Sequence, residues 1–189
     1  MPKDIMSGYL ELAIGPMFAS KTSWLISKFK QYAVYTDKVA VINYYSDTRY
    51  SNTELTTHDK VNIPCIQTDL LSNVEIDDSK VDIILINEGQ FFDDIVPWVK
   101  KMVDERQKQV YVCGLDGDYK RERFGTLLDL IPFCDKVTKL TALCGICKDG
   151  TRAIFTHRTV NSSEQVLIGE KDSYMPVCRK CYISISKTI

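Results

Sequence analysis

Gly8-Tyr-Leu-Glu-Leu-Ala-Ile-Gly-Pro-Met-Phe-Ala-Ser-Lys-Thr22 is the stretch on which the fold turns. Its first half, Gly8 to Ile14, is a short apolar run of the kind that forms a buried strand. From Thr22 to about Tyr35, Trp24, Leu25, Phe29 and Tyr32 recur at helical spacing. Between them lies Gly15-Pro-Met-Phe-Ala-Ser20-Lys21-Thr22. A strand, a tight loop ending in Lys-Thr and a helix make the arrangement in which backbone N–H groups and a helix N-terminus hold phosphates. Lys21 would reach the β- and γ-phosphates and Thr22 would ligate Mg²⁺. The usual pattern, G-x-x-x-x-G-K-[ST], has a glycine where this chain has Ser20. That glycine lets the backbone approach the phosphates with no side chain between. The plainer alternative is an ordinary strand–turn–helix.

Further along, Lys38 to Asn43 and Val81 to Ile86 read as strands, the second largely apolar and so buried on both faces. Gln109 to Cys113 is another strand, and Asp135 to Thr141 a further one. A helix from about Asp94 to Arg106 carries Val96, Val99, Met102 and Val103 on one side. The polar stretch Tyr45 to Lys60 has no period and reads as a loop. Strands alternating with helices predict an α/β fold, a P-loop parallel sheet flanked by helices. After Cys144 the pattern changes: regular helix gives way to a loop-rich stretch bracketed by two Cys-x-x-Cys pairs. The predicted division is a nucleotide-binding domain over 1–142 and a small zinc-ribbon domain over 143–189.

The chain has 189 residues, 44% hydrophobic and 26% charged, enough for one full core and a small added module. A net charge of −1 supplies no basic field for nucleic acid. Apolar runs are too short to span a bilayer, and Met1 to Gly8 lacks the apolar run of a secretory signal. These features predict a cytoplasmic protein that binds neither membrane nor nucleic acid. Seven cysteines in such a protein need employment other than disulfides. Cys144 with Cys147, and Cys178 with Cys181, present four thiolates to one tetrahedral ion, the closed set of structural zinc. Four thiolates leave no open position for catalysis at the metal. A redox dithiol is the alternative. Cys65, Cys113 and Cys134 read as core residues.

At the end of the strand Val81 to Ile86 stands Asn87-Glu88-Gly89-Gln90-Phe91. A phosphoryl-transfer site needs an acidic group at a strand end to help hold Mg²⁺, and Asn87 is neutral. Glu88 is the carboxylate left at this turn, able to accept a proton from an attacking hydroxyl. The alternative is a solvated loop glutamate.

These segments together resemble the type II thymidine kinases, over nearly the whole chain. GPMFASKTSWL resembles that family's phosphate loop, SDTRY (Ser46 to Tyr50) and THDK (Thr57 to Lys60) its loop between the early strands, and NEGQFFDDIV its magnesium and base segment. LDGDYKRERFG (Leu115 to Gly125) resembles its nucleoside-pocket segment, and KLTALCGIC and YMPVCRKCY its zinc knuckles and lasso. VCRKCY is most similar to the animal and poxviral branch.

The resemblance implies transfer of the ATP γ-phosphoryl group to the 5′-hydroxyl of thymidine by a homotetramer holding structural zinc and Mg²⁺. By matching position, Glu88 would be the catalytic base. Gly15, Ser20, Lys21, Thr22, Asp47, Arg49, Asn87 and Gln90 would serve ATP and metal. Met17, Phe91, Leu115, Tyr119, Phe124 and Thr141 would line the nucleoside pocket. A lasso from about Lys148 to Pro176 would close over the base, with Leu167, Gly169 and Tyr174 facing it. The chain departs from the family at Ser20 for glycine and at Asn87 for aspartate. Gly169-Glu170 stands for a glycine pair, and Ser27, Lys28 and Lys30 follow the phosphate loop in place of arginines. Two other functions compete: a non-enzymatic relative that keeps the fold to bind a nucleoside or protein, and a zinc-ribbon nucleic-acid binder. Lys21, Thr22 and Glu88 favour the kinase, Ser20 with Asn87 favours the second, and the neutral charge disfavours the third.

Overall fold

Apolar runs without alternation should be covered on both faces, and the four central strands of this protein's main sheet are. A computed structural model describes residues 7–45, 54–56, 62–160, 165 and 173–186. β1 (Tyr9–Gly15) leads through the phosphate loop into α1 (Lys21–Ala33), then β2 (Val39–Tyr44). β3 (Glu54–Thr56) and β4 (Asn62–Pro64) pair antiparallel. β5 (Ile66–Thr68) and β6 (Ile83–Ile86) precede α2 (Ile95–Lys100), and β7 (Gln109–Leu115) and β8 (Lys136–Lys139) complete the sheet. Its order is β5-β2-β6-β7-β1-β8, and every neighbouring pair is parallel.

Alternate residues of the same strands feed two apolar layers. Leu10, Leu12, Ile42, Ile84, Ile86, Val110 and Val112 pack against Phe92, Ile95, Val99 and Leu127 on one face. Ala13, Val41, Ile83, Leu85 and Tyr111 pack beneath Leu25 and Ile26 of α1 on the other. With all strands parallel, the carboxyl ends of β1, β2, β6 and β7 lie along one edge, where open α/β sheets bind ligands.

Three expectations are corrected. The stretch Tyr45 to Lys60 holds a strand, β3, because Leu55 is buried against the α1 layer with Ile63 of β4. The helix after Asp94 is α-helical only to Lys100 and then widens into a π-turn over Lys101–Glu105, where Arg106 N–H bonds the Lys101 carbonyl and Lys108 N–H that of Met102. Regular helix does not end at Cys144. β9 (Ala142–Leu143), β10 (Arg152–Ala153), β11 (Phe155–Arg158) and β12 (Tyr174–Val177) are followed by α3 (Arg179–Ser186). The Tyr182 N–H bonds the Cys178 carbonyl, so the second cysteine knuckle is itself the first turn of this helix.

Candidate active site

At the end of β1, Gly15 has no room for a side chain, because the segment leaving β8 passes so close that a Cβ would stand 2.4 Å from the Leu140 carbonyl oxygen. The loop then turns through Phe18 at φ 64° and Ser20 at φ 58°. Both lie in the left-handed region, which costs an ordinary residue roughly 1–2 kcal/mol. The glycine missing at position 20 therefore has a conformational role besides close approach. The Ser20 carbonyl accepts from the Trp24 N–H and opens α1. Lys21 is only 8% exposed, and its ammonium donates to the Pro16 carbonyl at 2.8 Å, inside its own loop.

Across the sheet edge, Thr22 Oγ1 lies 3.3 Å from Asn87 Oδ1. Asn87 is buried; its Nδ2 donates to Asn43 Oδ1 at 2.9 Å, and its Oδ1 also accepts from the Cys113 thiol at 3.1 Å. Burial pushes the Cys113 thiol up to about 12, and the nearby Glu88 carboxylate adds to the shift. Glu88 itself stands at φ 54°, a strained setting of the kind that collects at functional sites. Gln90, also buried, donates from Nε2 to Glu88 Oε2 at 2.6 Å and accepts the Leu115 N–H on Oε1 at 2.9 Å. One side chain thereby joins the ends of β6 and β7.

The pocket segment folds back on Gln90 at Gly125, where φ is +60° and a Cβ would meet the Gln90 carbonyl oxygen at 2.1 Å. That return sets Phe124 edge-on to Phe91 at 5.3 Å, and Phe91 stacks on Tyr44 at 5.0 Å. A cavity of about 180 Å³ lies beside this segment, lined by Asp116, Asp118, Arg121, Lys139, Phe155 and Thr156 among others.

The four cysteine sulfurs of the C-terminal module lie within 4.8 Å of one another. Cys147 Sγ is 3.8 Å from Cys178 Sγ and 3.4 Å from Cys181 Sγ. Zinc–thiolate bonds of about 2.3 Å in a tetrahedron need sulfurs roughly 3.8 Å apart, so the cluster fits a zinc site. Burial resists ionisation of Cys144, but the N–H groups of Cys147, Cys178 and Ile146 outweigh it and draw the thiol down to about 6. A hydrogen bond with Cys147 pushes Cys181 up to about 12.

This module touches the phosphate loop twice. Ala19 packs among Ala142, Ala153, Val177 and Tyr182, and the Met17 N–H donates to Thr156 Oγ1 at 3.0 Å. Arg158 gathers the rest: its guanidinium lies 3.8 Å over the Tyr119 ring and donates to the Tyr174 hydroxyl at 2.6 Å and the Gln165 carbonyl at 2.9 Å. Gln165 in turn donates to Asp118 Oδ2 at 3.0 Å.

Of the residues expected at the site, the fold joins Lys21, Thr22, Asn87, Glu88, Gln90 and Leu115 along one edge, with Phe91 and Phe124 packed together beside Gln90. Tyr119 and Tyr174 meet through Arg158, and Thr141 is half-buried between β8 and β9. Asp47, Arg49, Leu167 and Gly169 fall outside the described residues. Asn43, Asp118, Thr156 and Arg158 escaped sequence reasoning. For Asn43 a signal existed, a polar residue closing the apolar run Val39 to Ile42 at the same sheet edge.

Comparison with known proteins bears on the whole arrangement. The family model described as thymidine kinase matches residues 8–182. The chain is 44% identical to a thymidine kinase of Oryza sativa subsp. japonica over 183 residues, 93% of this chain and 66% of that protein. It is 43% identical to thymidine kinase a of Arabidopsis thaliana over 94% of this chain and 76% of that protein. It is 41% identical to the thymidine kinase of Yaba monkey tumor virus, covering 95% of this chain and 97% of the viral one. With a match that runs from β1 into the second cysteine knuckle, the chain belongs to the thymidine kinase family.

Proposed function

We propose that this protein transfers the γ-phosphoryl group of ATP to the 5′-hydroxyl of thymidine, in the cytoplasm, as a homotetramer. What carries the reading is the convergence of Lys21, Thr22, Asn87 and Glu88 at the carboxyl ends of β1 and β6, with Gln90 tying Glu88 to the Leu115 segment.

Gly15 to Thr22 cradle the phosphates, and Lys21, released from the Pro16 carbonyl, pairs with them. Thr22 and Asn87 would hold Mg²⁺; a hydroxyl and an amide oxygen are acceptable donors to a hard cation, with less charge than a carboxylate brings. Bound with ATP there, the ion would neutralise charge building on the phosphates. Glu88 accepts the proton of the 5′-hydroxyl as its oxygen bonds to the γ-phosphorus and the bond from that phosphorus to the β–γ bridging oxygen breaks, releasing ADP; Gln90 keeps the carboxylate in one orientation. Asp47 and Arg49 act on the phosphates. Met17, Phe91, Leu115, Tyr119, Phe124, Thr141, Leu167, Gly169 and Tyr174 enclose the nucleoside, and zinc on the four cysteines fixes the ends of the lasso. The proposed division is 1–142 for the nucleotide and 143–189 for the lasso.

The test is transfer of label from γ-labelled ATP to thymidine, deoxycytidine and deoxyuridine. Thymidine should be phosphorylated most efficiently. Nucleoside binding without transfer to any of the three would contradict the kinase reading and favour a binding protein. Light scattering should give a mass near four chains; a monomer would contradict the assembly.

A further inference from the structure

Four polar side chains form a line across the sheet edge: Gln67 on β5, Asn43 on β2, Asn87 after β6 and Thr22 at the start of α1. Asn87 Nδ2 donates to Asn43 Oδ1 at 2.9 Å, Asn43 Nδ2 to Gln67 Oε1 at 3.3 Å, and Gln67 Nε2 to Cys65 Sγ at 3.5 Å. Every amide donates away from the phosphate loop. The Asn87 oxygen is thereby left facing Thr22 Oγ1 at 3.3 Å and the Cys113 thiol at 3.1 Å.

An asparagine amide has nearly the same shape either way round, so its hydrogen-bond partners alone decide which end points where. Asn43 is 2% exposed and Asn87 1%, which leaves little room for solvent to take over either role. Turned round, Asn87 would aim an NH₂ group at the loop, which repels a cation and offers it no oxygen.

We propose that Asn43 is a positioning residue for the phosphate end of the site: its side-chain oxygen holds the Asn87 amide with the oxygen toward Thr22. The proposal rests on the kinase reading above. It explains how a neutral strand end serves Mg-ATP. A carboxylate at position 87 would bring an oxygen against Asn43 Oδ1, acceptor to acceptor, unless Asn43 and Gln67 both turn. The two asparagines therefore act as one unit.

Calorimetric titration of the full chain with ATP, with Mg²⁺ and with EDTA, tests this in Asn43→Leu, Asn87→Ala and the double variant. One lost hydrogen bond weakens a site by about 3- to 10-fold. Asn43→Leu should weaken Mg-ATP by that factor and leave thymidine and Mg-free ATP unchanged. Acting through Asn87, the loss should vanish in the Asn87→Ala background. Gln67→Ala, at a half-buried edge position, should give a smaller loss of the same pattern and decides the matter if Asn43→Leu does not fold. An equal loss for thymidine, the same loss without the Asn87 amide, or no loss in any variant would overturn the positioning role alone. A wild-type chain that binds no Mg-ATP would overturn the kinase reading and this role with it.

Discussion

The sheet and the cysteine module both hold short loops still, by opposite means. Among the described residues, twenty buried apolar side chains pack one face of the sheet and ten the other. The module's cluster has seven, mostly small, and one of them is Ala19 of the phosphate loop. So small a core needs a staple, and the four thiols gathered within 4.8 Å would supply one by holding zinc. The proposed functional groups follow this division. On that reading, phosphate and proton chemistry would stand on the ends of buried strands, whereas the nucleoside would be enclosed partly by a segment anchored at the metal site.

Zinc removal should separate the two regions most sharply. Structural zinc contributes about 10–16 kcal/mol in small domains, so Cys178→Ser should abolish metal binding and order in the module. Metal analysis of wild type should give about one zinc per chain, and hydrogen exchange of the variant should show the sheet still protected; uniform loss of protection would mean that the regions fold as one.

The converse perturbation is Phe92→Ala, at a fully buried position of the larger layer. It should cost about 3–5 kcal/mol of sheet stability in urea melts while zinc stoichiometry stays the same. Glu88→Gln touches chemistry alone. It keeps the side chain's size, and kcat should fall about 10²- to 10⁴-fold with little change in thymidine affinity. The smallest effect is expected at Ser20→Gly. Relief of the left-handed φ, less the extra freedom glycine has when unfolded, should raise stability by about 0.5–1 kcal/mol and tighten ATP. Weaker ATP binding in that variant would show that the serine hydroxyl contributes directly.

Much of this could be read from the chain before folding. Strands covered on both faces are nearly pure apolar runs, so β1, β2, β6 and β7 stand out. Two Cys-x-x-Cys pairs declare a metal site through spacing alone. What escaped depends on strand order. Asn43 and Asn87 are 44 residues apart and meet only because β2 and β6 are neighbours; Met17 and Thr156 are 139 apart. Nothing local marks such pairs. α3 was hidden because its first turn is a cysteine knuckle, and the π-turn after Lys100 keeps an apolar face that an α-helix would show equally well.

The central claim is that a neutral strand end, Asn87 held by Asn43, still supports phosphoryl transfer by Glu88. Thymidine-dependent release of label from γ-labelled ATP across a Mg²⁺ titration tests it most directly. The wild-type chain should form labelled thymidine monophosphate with a rate that saturates in Mg²⁺ and collapses in Glu88→Gln. Thymidine bound, yet no label transferred at any Mg²⁺ concentration, would contradict the account.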